Sequence, residues 1–430
     1  MLERLFAIKA QGSSVSTEIL AGLTTFLTMA YIIIVNPAIL AEAGMDHGAV
    51  FAATCLAAAA GSLLMGLLAN YPIALAPGMG LNAYFTYTVV LGLGHSWQVA
   101  LGAVFVSGLL FLALALSPAR ETIIDAIPHS LKLAISAGIG LFLGTIALKN
   151  AGLIVAHPST LVTLGDLHQP PVLLAIVGFL IMVALDARKV PGAILIGILG
   201  TAAAGMALGV SPFGGIVSPP PPIAPTFLAM DVRGALDLGL VAIIFAFLFV
   251  VVFDNAGTLV GLAHRSGLLD TGGKLPRTGR VLIADALAAT GGAALGTSPT
   301  TSYIESAAGI KAGGRTGLTA ITVAALFLLA LFFSPLAASV PPYATAPALL
   351  FVACVMTGSL SGIEWDDVTE AVPATITALA MPLTFSIADG ITFGLISFAA
   401  IKLLSGRGRE VGVTVWLLAA AALAKHAFVG

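Results

Sequence analysis

The chain has 430 residues, of which 59% are hydrophobic and 9% charged, and its formal net charge is −2. Its mean hydropathy is +1.07, whereas a soluble domain of this length needs a far larger charged surface. There is no basic stripe for nucleic acid, and the two cysteines, Cys55 and Cys354, lie inside apolar runs, which argues against a disulfide scaffold or a metal cluster.

Met1 to Ser16 is polar to amphipathic and reads as no cleavable leader. Bilayer hydrocarbon needs about 20 apolar residues per helix. Runs of that kind begin near Ile19, Val50, Ile73, Val99, Pro128, Pro171 and Pro191, then near Leu236, Arg280, Gly296, Leu318, Thr345, Val372 and Gly390. The expectation is an all-α polytopic membrane protein with fourteen transmembrane segments and a single membrane domain over residues 1–430.

Lys and Arg concentrate in alternate links: Arg4 and Lys9, then Arg120 and Lys132, Arg188 and Lys189, Arg265 to Arg280, Lys311 and Arg315, and Lys402 to Arg409. Val210 to Asp231, on the opposite side, has none. This bias predicts a cytoplasmic N-terminus in the cytoplasmic (inner) membrane. Residues 411–430 form an extra C-terminal apolar segment, expected along the cytoplasmic interface or as a shallow hairpin.

The chain also matches itself weakly at a spacing of about 220 residues, pairing Ala74–Phe85 with Ala294–Glu305 and Phe26-Leu27 with Phe247-Leu248. Seven spans per half is an odd number, so residues 17–210 and 233–405 are expected to be inverted repeats, a recurring transporter design. The third segment contains Pro77, Gly78 and Gly80, and the tenth contains Gly296, Pro299 and the polar run Thr297 to Ser302. Such sequence breaks helices. Non-helical backbone at membrane depth is tolerated where it is buried in protein or lines a cavity. Short extended stretches followed by half-helices are therefore predicted in segments 3 and 10. Two kinked helices packed through small residues are the bland alternative.

Asp254, in Phe253-Asp-Asn-Ala-Gly-Thr258, and Glu305 both fall within membrane segments, where a charge costs about 2.5–3.5 kcal/mol on insertion scales. They are candidates for ligand binding and proton coupling, with Na⁺ as the alternative ion. Asp285 reads as a structural partner of a helix end or of Arg280, and Asp389 as a turn residue. The chemistry suits a small neutral planar ligand. The carboxylates accept its N–H groups, strand N–H groups donate to it, and Tyr84, Phe85 and Phe253 stack on its face. Ser298 has no His and Asp at triad positions, and the extramembrane His47, His95, His157 and His168 suggest no metal site. An intramembrane enzyme lacks its constellation, and a passive channel has no need of inverted repeats.

Ala76-Pro-Gly-Met-Gly-Leu-Asn-Ala-Tyr-Phe85, Phe253 to Thr258, Thr300-Thr-Ser-Tyr-Ile-Glu-Ser306, Thr24 to Ile32 and Pro382 to Gly390 together resemble the AzgA-like purine permeases of the nucleobase–ascorbate transporter (NCS2) superfamily. The resemblance covers nearly the whole chain. It implies a 7+7 inverted repeat, with a core domain (17–118 plus 233–338) and a gate domain (119–210 plus 341–405). It also implies import of adenine, guanine or hypoxanthine by proton symport with no cofactor, and a homodimer through the gate domains. A uracil or xanthine carrier is the neighbouring alternative. The site residues implied are Asn82, Ala83, Phe85, Phe253, Asp254, Thr258, Thr301, Ser302, Tyr303, Ile304 and Glu305. Two departures stand out: Val251 where the family often has an acid, and Asp254-Asn255 where it usually reads Asp-Thr.

Overall fold

The computed structural model describes residues 2–117, 128–237, 241–266 and 276–428. Helices start where short polar side chains can accept from freed amides. In the first half they are α1 (Val15–Met29), α2 (Ile32–Glu42), α3 (His47–Leu64), a short α4 (Met79–Ala83) after strand β1 (Leu75–Pro77), and α5 (Trp97–Leu116). They continue with α6 (His129–Asn150), the strands β2 (Ile154–His157) and β3 (Leu161–Leu164), α7 (Pro170–Ala187) and α8 (Ala193–Ala207). The second half contains α9 (Val241–Ser266), α10 (Thr278–Leu295), β4 (Thr300–Ser302), α11 (Ser306–Lys311), α12 (Gly317–Ala330) and α13 (Ser334–Ala338). It closes with α14 (Pro342–Thr357), α15 (Val368–Thr384), α16 (Ile387–Leu404) and α17 (Val413–Phe428). Asp46, Ser96, Asp367 and Ser386 cap α3, α5, α15 and α16 through their side-chain oxygens.

Among the described residues, eight helices are long and apolar enough to cross a membrane, with α1 and α2 together forming the first. Shorter apolar helical stretches among the described residues are Ala193–Ala207 and Ile243–Val252. The chain is thus a multi-pass helical membrane protein, and the interruptions fall in segments 3 and 10 as expected. β1 and β4 pair antiparallel, with Leu75 opposite Ser302, Ala76 opposite Thr301 and Pro77 opposite Thr300. Left-handed residues precede both strands, Asn70 (φ 53°) and Gly296 (φ 95°). Leu75 and Thr300 start their strands 225 positions apart, against about 220 in the sequence match.

The helices sort into two groups. In the first, α1, α2, α3, α5, α9, α10, α11 and α12 pack on one another; in the second, α6, α7, α8, α14, α15, α16 and α17 do so. This is the core and gate architecture. Small residues make the core contacts close. A Cβ on Gly309 of α11 would lie 2.1 Å from Thr25 Oγ1 and 2.4 Å from the Ala21 carbonyl of α1, and one on Gly317 would lie 2.0 Å from the Gly66 carbonyl. The carboxylate of Glu18, wholly buried, accepts from Arg315 N (2.9 Å), Thr316 N (3.2 Å) and Thr319 Oγ1 (2.6 Å). It thereby tethers α1 to the amides at the start of α12. Between the groups, Asn150 Nδ2 of α6 donates to Tyr87 OH (3.1 Å) and Glu42 Oε1 (3.3 Å), and Thr88 donates to the Phe385 carbonyl at 2.7 Å.

Three features depart from the sequence reading. The link after α6 holds the β2–β3 hairpin, where a run of Ile, Val and Thr favours strand over helix. Asp389 lies in the first turn of α16, where its N–H donates to Ser386 Oγ at 3.1 Å; the turn falls earlier, at Phe385, which has φ 52°. Residues 413–428 form one helix packed on α16 and no hairpin, because no Gly or Pro interrupts the run. Its approach is pinned by Arg407, which donates to Asp367 at 2.7 Å and Glu410 at 2.8 Å, while Lys402 reaches Glu410 at 2.9 Å.

Two predictions follow from this packing. Gly309→Ala should destabilise the protein by about 1–3 kcal/mol through overpacking against backbone that cannot retreat. An unchanged thermal midpoint in detergent would count against the contact. Glu410 is held at about 2, against an ordinary 4.5, chiefly by its hydrogen bond from Arg407 and then by that from Lys402. A folded value below the unfolded one contributes stability above about 4.5, and this is lost as pH falls through about 2. In a Trp97→Phe, Trp365→Phe background, Trp416 emission should shift on acidification. Arg407→Gln should bring that shift to higher pH.

Candidate functional site

The strand pair is the scaffold of the site, and its backbone groups are met by side chains from several helices. Ser62 Oγ accepts from Leu75 N (3.0 Å) and Ser306 Oγ accepts from Ala74 N (3.0 Å). Gly78 N donates to the Pro299 carbonyl at 2.9 Å and Tyr303 N to the Ala74 carbonyl at 3.0 Å, extending the pairing by one bond at each end. Tyr303 OH donates to the Pro77 carbonyl at 2.5 Å. Buried backbone groups without such partners would cost several kcal/mol each in hydrocarbon.

The expected site residues occupy distinct environments around this crossing. Thr301 and Ser302, both buried, face Asn255 of α9, whose Oδ1 accepts from Thr301 Oγ1 at 2.7 Å and from Ser302 N at 3.2 Å. Ser302 Oγ donates to Asp285 Oδ1 at 2.8 Å, so Asp285 meets the strand. Glu305 stands where β4 gives way to α11, its side chain half-buried. Tyr31 OH donates to Glu305 Oε1 at 2.6 Å, and Thr28 Oγ1 lies 3.5 Å from the Glu305 carbonyl. Ile304 is 38% exposed and Thr258 is half-buried.

Asn82, Ala83 and Phe85 are fully buried. Asn82 Nδ2 donates to Asn36 Oδ1 at 3.0 Å. Asn36 in turn donates to Thr54 and Thr297, each at 2.8 Å, and accepts from Ser298 at 3.3 Å. Phe85 belongs to the apolar core, and Tyr84 sits edge-on to Phe247 with ring centroids 4.9 Å apart. Phe253 and Asp254 lie on α9, but their side chains are outside the described residues. α9 packs against both β4 and α11, and Asn255, one position on from Asp254, touches the strand directly.

Sequence reasoning missed three polar groups here. Asn255, a departure from the family motif, bridges α9 to β4. Tyr31 is the penultimate residue of the Thr24 to Ile32 motif, whose threonines recur at helical spacing on one face, a signal that points toward a polar partner. Asn36 stands before Pro37 within an apolar run, where a buried amide requires partners. The chemistry available is a half-buried carboxylate, a buried polar strand crossing and two short helices beginning beside it.

Residues 16–393 match the Permease family. The chain is 48% identical to the adenine permease AdeP of Escherichia coli (strain K12), over 100% of this chain and 96% of that protein. It is 49% identical to the guanine/hypoxanthine permease PbuG of Bacillus subtilis (strain 168), over 95% of this chain and 96% of that one. The chain belongs to the Permease family. The resemblance to nucleobase–ascorbate transporters read from its motifs is borne out, and the protein is a transporter and not an enzyme. Among solved structures, the transmembrane domain of the bicarbonate transporter BicA of a cyanobacterium shares the fold. Its TM-score is 0.66 at 15% identity, covering 87% of this chain and 96% of that one. At that identity the likeness speaks for architecture alone.

Asn255→Ala should leave the Thr301 hydroxyl and the Ser302 amide without their acceptor, at a cost of about 1–3 kcal/mol. Hydrogen exchange in a peptide covering 297–305 should then speed up by roughly 5- to 100-fold, while α15 stays protected. Unaltered exchange would show that Asn255 does not hold the strand.

Proposed function

We propose that the protein is a secondary active transporter that imports purine nucleobases (adenine, guanine and hypoxanthine) across the cytoplasmic membrane together with protons. The reading rests on one observation. A half-buried carboxylate, Glu305, stands at the end of the paired strands, in a chain alignable almost end to end with AdeP and PbuG. A carboxylate there accepts N–H groups of a neutral heterocycle, and the strand and half-helix ends supply donors to its ring nitrogens or carbonyl. Asp254 is assigned the second acid of the site. The two halves are read as inverted repeats, so the core and gate can rock about a fixed central site.

Protonation supplies the coupling in this reading. A carboxyl group in a low-dielectric site has its charge state set by its surroundings, so one that loses its proton toward the cytoplasm links base and proton movement. Na⁺ at the same acids is the competing arrangement.

Uptake of radiolabelled adenine and hypoxanthine in cells lacking their own permeases tests the proposal. Glu305→Gln and Asp254→Asn should reduce uptake at least about 30-fold, the scale of losing a charge-assisted hydrogen bond, with membrane abundance unchanged. Collapsing the pH gradient should abolish accumulation. Full uptake by both variants would remove the site assignment, and uptake that follows Na⁺ would remove the proton claim. Competition by uracil or xanthine in place of adenine, guanine and hypoxanthine would move the substrate class.

A further inference from the structure

Building on the reading of Glu305 as a ligand-binding carboxylate, we infer that Tyr31 is its positioning residue. The Tyr31 hydroxyl pins Oε1 and thereby presents Oε2 to the substrate base and to the coupling proton.

The first span places this hydroxyl. α1 ends at Met29 and α2 begins at Ile32. Across the junction the backbone tightens, with Ile33 N donating to the Ala30 carbonyl at 3.1 Å and Ile34 N to the Tyr31 carbonyl at 3.0 Å. Ala30 and Tyr31 remain helical, and Ala30 N still donates to the Phe26 carbonyl at 2.7 Å, so Tyr31 stays on the face of α1 that carries Thr28. Its side chain is 1% exposed, and water does not compete for the hydroxyl. The donor–acceptor distance of 2.6 Å falls in the range of an O–H donor bound to a carboxylate. Among the described residues, no other side chain hydrogen-bonds the Glu305 carboxyl.

The surroundings favour this division of labour between the two carboxyl oxygens. Tyr303, two residues before Glu305, commits its hydroxyl to the Pro77 carbonyl. Glu18, lower on α1, is committed to the amides before α12 and to Thr319. Lys311 stands at the far end of α11. Asp254 approaches from α9, and its side chain lies outside the described residues. Thr28, one turn before Tyr31, shares its hydroxyl with carbonyls of its own helix at 2.7 Å and 3.2 Å and reaches toward the Glu305 backbone. A carboxyl with one oxygen accepting from a buried phenol can rotate little. A proton or an N–H from a ligand then meets the other oxygen in a fixed direction, which is the preorganisation that selective binding requires.

The test uses the purified full-length protein in lipid nanodiscs, with tritiated adenine and tritiated hypoxanthine as probes, and compares wild type, Tyr31→Phe and Glu305→Gln. Tyr31→Phe removes one oxygen and keeps the ring. It should raise Kd about 5- to 50-fold, alter the pH profile of binding, and leave the thermal midpoint near that of wild type. A role confined to packing would leave the pH profile in place. Tyr31→Met supplies a second side chain without a hydroxyl if the Phe variant folds poorly. Wild-type Kd and pH profile in the folded hydroxyl-free variant, with binding lost in Glu305→Gln, would overturn the inference and leave the site reading intact. Normal binding by Glu305→Gln would overturn both.

Discussion

Inside a bilayer, backbone amides and carbonyls that leave a helix need partners supplied by the protein itself, and this protein meets that demand at one place above all. Segments 3 and 10 both stop being helical close to each other, and each becomes the partner of the other over Leu75–Pro77 and Thr300–Ser302. A lone broken helix would leave several groups unpaired. Two that cross antiparallel satisfy one another, and Ser62, Ser306, Asn255 and Tyr303 complete the set. The rest of the core is arranged so that these side chains arrive.

That constraint explains several compositional features. Glycine at 309 lets α11 meet the backbone of α1 and glycine at 317 lets α12 meet that of Gly66, drawing the half-helix after β4 against α1. The same approach sets Tyr31 within reach of Glu305. Glu18 is an acid wholly buried in a membrane domain, yet it is accounted for by the two amides and one hydroxyl it receives. The buried network of Asn36, Thr54, Asn82, Thr297 and Ser298 draws on segments 1, 2, 3 and 10. Polar residues placed together in this way fix one arrangement of four segments, where apolar packing would tolerate several.

The gate is built differently. Its helices run without strand interruptions, its contacts to the core are few, and Lys402, Arg407, Asp367, Glu370 and Glu410 form linked pairs that join the start of α15 to the end of α16. A body with a small interface is suited to moving as a unit against a core whose centre is heavily cross-bonded. The bond from Thr88 to the Phe385 carbonyl and those from Asn150 to Glu42 and Tyr87 link it to the core.

The sequence by itself determined the membrane class, the places where most spans begin, and the two segments that could not be regular helices. Each of these depends on local chemistry: hydropathy over a window, capping side chains, and the conformational limits of Gly and Pro. It also singled out Glu305 as an acid that hydrocarbon would not hold alone. The tertiary structure alone decided that β1 and β4 are partners, that Asn255 and Asp285 both serve β4, and that the phenol holding Glu305 comes from a segment 274 positions earlier in the chain. It also decided that Asn82 and Phe85 point into the core and that Asp389 begins a helix. These depend on which groups meet after the helices pack, and sequence spacing carries no record of a partner hundreds of residues away.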